Sequence, residues 1–245
     1  MDNIQKITLS IYVPCFNEEN NITNTLNKIK EAVQHISYEV LVVDDGSKDK
    51  TIEMIEKFKK NNPNINITII CNENNLGIGF NHRATVHKAS GKYYMMITGD
   101  APEPSDEIKK VVNNIGKADM ILTYFFDKRK IFRRTLSKIF VIIINLITLN
   151  NLKYYNAANI YLLENVKLFS GKGSGFGFQA ELITEQLRQK KTYIEIEIEP
   201  TFKPSDSESS QALKVRNILN VARSIILIFL EQIIYILKKA LKISK

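Results

Sequence analysis

Four polar side chains near the start of the chain follow two short apolar runs, 7–13 and 39–43. They are Asn17, Glu18, Asp44 and Asp45. In an α/β fold the carboxyl ends of neighbouring parallel strands open on one crevice, so we expect these side chains to converge there. A carboxylate at this position can accept hydrogen bonds from a nucleotide's base imide or ribose hydroxyls, and Gly46 allows a tight turn beneath it.

A glycine-containing segment lies between the third apolar run and the next helical stretch. Gly77 and Gly79 let the backbone approach a ligand closely, and the N-terminus of the following helix offers amides and positive potential to a phosphate. His82 or Arg83 would then contact the nucleotide, and a solvated helix face is the alternative for both.

These motifs, together with Pro14 just after the first apolar run, resemble the nucleotide half of the inverting GT-A glycosyltransferases of family 2, especially the dolichyl-phosphate mannosyltransferase-like branch. The resemblance implies that Asp44 and Asp45 recognise the base and ribose, and the alternative is that one of the two braces the loop instead. It also implies that Pro14, Asn17 and Glu18 line the same pocket.

A third motif ends the apolar strand 94–97. Most members of the family carry Asp-x-Asp here, which coordinates a divalent cation on the donor's diphosphate, whereas this chain has Thr98, Gly99 and Asp100. The resemblance therefore implies Mg²⁺ or Mn²⁺ held by Asp100, because one carboxylate with diphosphate oxygens and water suits such hard cations. Glu103 either supplies another oxygen or faces solvent.

The segment 127–138 places six basic residues before the apolar run 139–149. Arg133 and Arg134 resemble the arginines with which members of this branch hold a lipid-phosphate acceptor, since a guanidinium can bind phosphate oxygens in bidentate fashion. A solvated run of charge is the alternative interpretation.

Three later segments complete the resemblance. Gln179 and Glu181 follow a glycine-rich turn at the start of a helix, where the family places sugar ligands, and Glu181 would act as general base if the acceptor were an alcohol. The range 156–159 departs from the family pattern of an Asp followed by Gly-Phe, and no role is assigned to it. Lys203 resembles the phosphate contact of a loop that closes over the diphosphate.

Apolar runs at 7–13, 39–43, 66–71, 93–97 and 119–125 alternate with amphipathic helices. This pattern predicts an α/β fold with a mostly parallel, doubly wound sheet flanked by helices. We expect a GT-A domain over residues 1–211, its nucleotide-sugar half ending near residue 105 and its acceptor half covering 106–211. The range 212–245 is expected to form an amphipathic helix.

The apolar stretch 221–237 would span only about 25 Å as a helix, less than a hydrocarbon core of about 30 Å. A single full span is therefore not expected. A narrow polar stripe contains Asn217, Asn220, Ser224, Glu231 and Lys238. The broad apolar face and the four lysines at 238–245 suit a helix in an anionic interface, on a small membrane partner or on a second subunit, and a packed core helix is the alternative.

The net charge of +8 predicts an anionic partner, and the two cysteines form no metal-type spacing. The first six residues show no apolar core of a signal peptide, so we expect a cytoplasmic protein at the inner face of a membrane. The resemblance implies a nucleotide-sugar donor and a polyprenyl-phosphate acceptor, with no nucleic acid. Transfer to a saccharide hydroxyl and non-catalytic nucleotide-sugar binding are the alternatives.

Overall fold

The computed structural model describes residues 6–126, 129–171, 173, 175, 177–202 and 215–243. The strands are β1 (Leu9–Cys15), β2 (Tyr38–Asp44), β3 (Asn66–Cys71), β4 (Tyr93–Met96), β5 (Met120–Tyr124), β6 (Ile160–Leu162) and β7 (Tyr193–Glu197). The helices are α1 (Ile22–Val33), α2 (Thr51–Asn61), α3 (Ile78–Val86), α4 (Ser105–Val112), α5 (Ile131–Thr148), α6 (Leu163–Lys167), α7 (Phe178–Arg188) and α8 (Val215–Ile243). The five strands predicted from apolar runs are confirmed.

The strands form one seven-stranded sheet in the order β3-β2-β1-β4-β6-β5-β7. Strand β1 is parallel to β2 and β4, β2 is parallel to β3, and β5 is parallel to β7. Among the strands in the described ranges, only β6 is antiparallel to its neighbours, and it joins β4 to β5. The sequence did not predict β6 or β7, because a three-residue strand is too short to show a period and the alternating β7 is only partly buried.

Helices cover both faces of the sheet, which explains why its central strands are apolar on both sides. One core cluster contains Ile11 and Val13 with the inner side of α1, and the other contains Tyr12, Leu41 and residues of α7. The apolar residues of α1 are buried as its periodicity predicts. The two packed layers hold the strand ends rigidly, so the loops that follow them have fixed positions.

Helix α8 lies within the range 212–245 that was expected to be helical, and its 29 residues extend about 43 Å. Its stretch Ile218–Leu241 is long and apolar enough to cross a membrane, a property that core helices of soluble proteins share. The expectation that this helix is too short for a full span was therefore wrong, because it counted only residues 221–237. Helix α8 packs against α5 and α7 along one side, where Ser224, Ile228 and Gln232 are buried.

Candidate active site

The carboxyl ends of β1, β2 and β4 lie side by side at one edge of the sheet, as expected. The backbone amide of Asp45 donates to the carbonyl of Cys15 at 2.9 Å, and the amide of Gly99 donates to the carbonyl of Pro14 at 2.9 Å. These two bonds connect the three strand ends just beyond the sheet. The structure thus brings together Pro14, Asn17 and Glu18, the acidic pair, and Asp100.

Asp45 is buried and holds the glycine loop. Its Oδ1 accepts from the amide of Leu76 at 2.9 Å and from Asn72 Nδ2 at 3.0 Å, and its Oδ2 accepts from the amide of Gly77 at 2.9 Å. Three of the roughly four acceptor positions of the carboxylate are therefore in use. Gly77 has a φ of 91°, a conformation that favours glycine. The amides of Leu76 and Gly77, just before the N-terminus of α3, are thus occupied by this carboxylate.

Asp44 and Asn17 connect the loops after β1 and β2. Asp44 is buried and accepts from both the amide and the hydroxyl of Ser47. The amide of Asn17 donates to Ser47 Oγ at 2.8 Å, and its Oδ1 accepts from the amide of Lys48 at 2.8 Å. Asn17 has a φ of 56°, which asparagine tolerates better than most residues. Asn17 is exposed, and the neighbouring Glu18 is partly buried.

Asp100 is the exposed carboxylate of this edge. The loop that carries it is fixed from α1, because Thr25 Oγ1 donates to the carbonyl of Gly99 at 2.7 Å and Lys28 Nζ donates to the carbonyl of Ala101 at 2.7 Å. A Cβ on Gly99 would lie 2.9 Å from Cys15 Cβ and 3.2 Å from the carbonyl oxygen of Pro14. The loop therefore needs glycine there to lie against β1, and it presents Asp100 to solvent.

Glu103 lies inside the protein rather than facing solvent. Burial, with a further contribution from Asp100, raises the pKa of its carboxyl to about 7, and Lys28 partly opposes this shift. Within the described ranges, no three His, Cys, Asp or Glu side chains lie together in a way that could hold a metal ion. The donor set at this edge is accordingly one exposed carboxylate with a second, buried carboxyl nearby. That set fits a hard cation that takes its remaining ligands from diphosphate and water.

The two residues predicted on α3, His82 and Arg83, both contact the start of α7 or the segment that leads into it. His82 is 2% exposed, and its ring packs 4.6 Å from the Phe178 ring and edge-on to Tyr94. Burial, with Arg83 as a smaller cause, lowers its pKa to about 3, so the imidazole is neutral. The guanidinium of Arg83 donates to the carbonyl of Gly173. Both residues connect α3 to the start of α7, so the proposed nucleotide contact is wrong for His82 and stays a prediction for Arg83.

Gln179 and Glu181 lie in the first turn of α7 and point in different directions, as residues two apart on a helix must. Gln179 Oε1 accepts from Asn159 Nδ2 at 3.1 Å and from the Tyr161 hydroxyl at 3.1 Å, which places it at the sheet edge. Glu181 instead accepts from the amide of Gly173 at 3.1 Å and lines a cavity of about 120 Å³ between α7 and α8. Its burial raises the pKa of the carboxyl. Of the two, Gln179 is the one joined to the strand ends.

The glycine-rich turn before α7 is packed closely against α8. A Cβ on Gly175 would lie 2.6 Å from Asn220 Cβ, and one on Gly177 would lie 2.4 Å from Ser224 Cβ. These glycines let α8 approach the turn, a purpose that the sequence did not reveal. The polar stripe predicted on α8 therefore meets the protein at Asn220 and Ser224.

Arg129 is a basic residue that the sequence analysis did not single out from its run. Its guanidinium lies 5.4 Å from the Phe125 ring and 5.3 Å from the Phe202 ring, and it donates to the Tyr154 hydroxyl at 3.2 Å. Nothing in the run 127–138 marks this arginine, because Phe202 lies 73 residues farther along the chain. Phe202 is the last described residue before the range 203–214, so Lys203 lies outside the described residues.

Arg133 and Arg134 lie in the first turn of α5, and both are partly buried. The amide of Thr201 donates to the carbonyl of Pro102 at 2.7 Å, which brings the segment before residue 203 beside the Asp100 loop. Arg129 and Phe202 connect this segment to the chain just before α5. Arg129, in the basic run, is therefore linked through residues 201 and 202 to the loop that carries Asp100, and the acceptor role of Arg133 and Arg134 stays a prediction.

The fold agrees with solved GT-A proteins. A mannosyltransferase from Pyrobaculum calidifontis superimposes with a TM-score of 0.66 at 16% identity, over 89% of this chain and 64% of that one. Such a likeness shows the fold, and the GT-A prediction is confirmed.

The family model called glycosyl transferase family 2 matches residues 10–181. The chain belongs to this family, and the resemblance inferred from its motifs is confirmed. It is 29% identical over 127 residues to a dolichyl-phosphate beta-glucosyltransferase of Dictyostelium discoideum, covering 48% of this chain and 39% of that protein. An uncharacterised protein of Methanocaldococcus jannaschii is 26% identical over 237 residues, covering 89% of this chain and 98% of that protein. The chain thus spans well under half of the first relative and nearly all of the second.

Proposed function

We propose that this chain is an inverting glycosyltransferase that transfers one sugar from a nucleotide sugar to a polyprenyl phosphate at a membrane surface. The observation that carries the proposal is the position of Asp100, the exposed carboxylate at the crevice edge of a family 2 protein. The Dictyostelium relative is named for a dolichyl-phosphate acceptor, which supports this acceptor class.

The donor side rests on Asp100 and the braced loops around it. The Pyrobaculum structure contains GDP-Man and Mn²⁺, which supports a nucleotide sugar and a divalent cation for this chain. Asp100 would hold Mg²⁺ or Mn²⁺, with Glu103 the nearby second carboxyl. Such a cation, when bound, stabilises the negative charge on a leaving diphosphate without a proton. Asn17, Glu18 and the remaining acceptor position of Asp45 would bind the nucleoside.

The acceptor side requires no general base. A polyprenyl phosphate is largely ionised at neutral pH, so one of its oxygens can attack the anomeric carbon while the bond from that carbon to the diphosphate oxygen breaks. Configuration inverts because the attack is in line. Arg133 and Arg134 would hold the acceptor phosphate. The enclosure of Glu181 against Gly173 agrees with a reaction in which it takes no proton from the acceptor.

The membrane surface would be contacted by an apolar surface of α5 and α8, which we call the α5–α8 apolar surface. Its exposed residues are Ile131, Phe132, Leu136, Ile139, Ile142 and Leu146 of α5 and Ile218, Leu219, Ile226, Phe229, Leu230, Ile233, Ile234, Ile236, Leu237 and Leu241 of α8. The exposed Lys138, Lys238 and Lys239 lie on the same two helices. Apolar side chains accompanied by lysines suit the headgroup region of an anionic leaflet. Because the other side of α8 packs on the protein, we propose peripheral contact.

The experiment presents purified protein with radiolabelled nucleotide sugars and a short-chain polyprenyl phosphate in mixed micelles. We expect a labelled product that extracts into organic solvent and is released by mild acid. Asp100→Ala should lower turnover by about two orders of magnitude or more, because it removes a charged group at the reacting centre. The control is Asp106→Ala, an exposed aspartate on α4, which should retain turnover.

Three results would contradict the proposal. Full turnover of Asp100→Ala, or of wild type in excess EDTA, would reject the metal-assisted donor site. A water-soluble, acid-stable product would replace the lipid phosphate by a saccharide hydroxyl as acceptor. Nucleotide-sugar binding without transfer to any acceptor would favour a non-catalytic binder.

A further inference from the structure

A buried hydrogen-bond network lies beneath the crevice edge and includes Asn159, which no motif explains. Asn159 is 1% exposed and immediately precedes β6. The register pairs Met95 with Ile160, so Asn159 lies one position farther toward the strand end that leads to Asp100. The network therefore joins β5, β6 and the first turn of α7 at the site itself.

The network has a fixed direction of donation that begins at the backbone. The amide N–H of Thr123 can only donate, and it does so to Asn159 Oδ1 at 2.7 Å. The side-chain nitrogen of Asn159 must then face the other way, where it donates to Gln179 Oε1 at 3.1 Å. The amide of Asn159 cannot be turned over without placing its NH₂ group against the N–H of Thr123. The backbone of β5 thus decides which end of Asn159 meets α7.

The direction continues through Gln179. Its Oε1 accepts from both Asn159 Nδ2 and the Tyr161 hydroxyl, the latter also at 3.1 Å. With the oxygen committed to two donors, the nitrogen of Gln179 lies at the other end of the planar amide group, directed away from Asn159 and Tyr161. Gln179 Nε2 makes no hydrogen bond to any of the residues that the structure describes. It is also not one of the unpaired nitrogen atoms that are completely buried among them. It is the open end of the network.

We propose that Asn159 is a positioning residue that orients the Gln179 amide so that its NH₂ group, and not its oxygen, faces the ligand. This inference rests on the proposed function, and its ligand is the phosphate of the lipid acceptor. An NH₂ group can donate to a phosphate oxygen, whereas an amide oxygen or a carboxylate in the same place would repel the anion. The network thereby selects for a phosphate-bearing acceptor without carrying a charge of its own.

The test turns the Gln179 amide over by replacing Asn159 with aspartate, which has nearly the same size and shape. In Asn159→Asp the carboxylate still accepts from Thr123 but no longer donates, so Gln179 turns its nitrogen toward residue 159 and its oxygen toward the ligand. Wild type and variant are compared by steady-state transfer to farnesyl phosphate and by calorimetry with nucleoside diphosphate. We expect the KM for farnesyl phosphate to rise about tenfold or more, as loss of a hydrogen bond to a charged group implies, with nucleotide Kd changed less than about twofold.

Gln179→Glu is a second variant that keeps the inference testable if Asn159→Asp fails to fold. This change leaves both acceptor contacts with Asn159 and Tyr161 in place and presents an oxygen to the ligand, so it should reproduce the rise in KM. Tyr161→Phe is the matched control, because Asn159 alone still sets the orientation, and its KM should stay within about twofold of wild type. A purely structural role for Asn159 predicts the opposite, with Gln179→Glu harmless and Asn159→Asp weakening donor and acceptor binding alike.

Two outcomes overturn the inference in distinguishable ways. Transfer by wild type with a KM for farnesyl phosphate that Gln179→Glu leaves unchanged would reject the positioning role while the proposed function stands. Transfer by wild type to a saccharide hydroxyl and not to farnesyl phosphate would reject the proposed function itself, and with it phosphate as the ligand of Gln179.

Discussion

Helices α1 and α8 are both amphipathic, yet they turn opposite faces toward the protein. Helix α1 buries Ile22, Leu26 and Ile29 against the sheet. Helix α8 buries Ser224 and Gln232 beside Ile228 and leaves most of its large apolar side chains exposed. A helical period of apolar residues therefore shows that a helix has two faces, but not which face the domain covers.

The region around α1 buries its apolar side chains within the domain, whereas the outer side of α8 needs an apolar partner from outside it. The layers around α1 form a closed core, and the carboxylates of the neighbouring loops are satisfied within the protein. The outer side of α8 forms, with α5, an apolar surface much larger than scattered surface residues would give. The predictions below test this contrast, beginning with the largest expected effect.

Matched substitutions to glutamate should have opposite consequences in the two helices. Leu26 is 2% exposed and Leu230 is 49% exposed. Leu26→Glu should lower the free energy of unfolding by about 4–5 kcal/mol, because it buries an unpaired charge. Leu230→Glu should change it by no more than about 0.5 kcal/mol in lipid-free solution. Urea unfolding of both variants measures the difference, and similar losses would contradict the assigned orientation of α8.

The buried imidazole of His82 on α3 should make the free energy of unfolding depend on pH. Its pKa is lowered to about 3, so the folded protein binds this proton less readily than the unfolded chain does. The contribution of the neutral imidazole to the free energy of unfolding is fully present above pH about 6.5 and is lost as the pH falls toward 3. The loss over this range is about 4 kcal/mol. The comparison is with His82→Phe, which keeps a ring in the aromatic cluster. Parallel stability curves for the two proteins over this range would contradict the burial of His82.

The outer face of α8 should carry binding to anionic vesicles. Leu230→Glu combined with Leu237→Glu should weaken association with phosphatidylglycerol vesicles by about 100-fold, since two apolar side chains of about 1.5 kcal/mol each no longer enter the interface. The control with the same added charge is Asn24→Glu combined with Asn27→Glu on the exposed side of α1. Vesicle sedimentation measures both. Equal loss in the two double variants would assign binding to net charge alone.

The glycine loop should depend on Asp45 for its order. Asp45→Ala leaves the amides of Leu76 and Gly77 without their acceptor. The free energy of unfolding should therefore fall by about 1.5–3 kcal/mol. Hydrogen exchange should show faster exchange of these two amides, while calorimetry with nucleoside diphosphates measures any loss of affinity. Unchanged exchange with weaker nucleotide binding would return Asp45 to the role of direct nucleotide ligand that the family resemblance implies.

Much of the fold could be predicted because its signals are local. Each of the first five strands is an apolar run bounded by polar residues, and the order of the motifs was sufficient to indicate the family. The weaker predictions concerned individual side chains. Glu103 had two interpretations until its burial was seen, and His82 was placed at the nucleotide although it lies among aromatic rings. Neighbours distant in sequence decide such cases.

The sequence by itself determined the alternation of strands and helices, the acidic strand ends and the two-faced character of the last helix, because these follow from the order of residue types along the chain. Only the tertiary structure decided that Asp45 braces the glycine loop, that Asn159 donates a hydrogen bond to Gln179 and that α8 exposes its apolar side. Each of these depends on a partner at least 20 residues away or on the packing of whole elements. Periodicity carries no information about such partners.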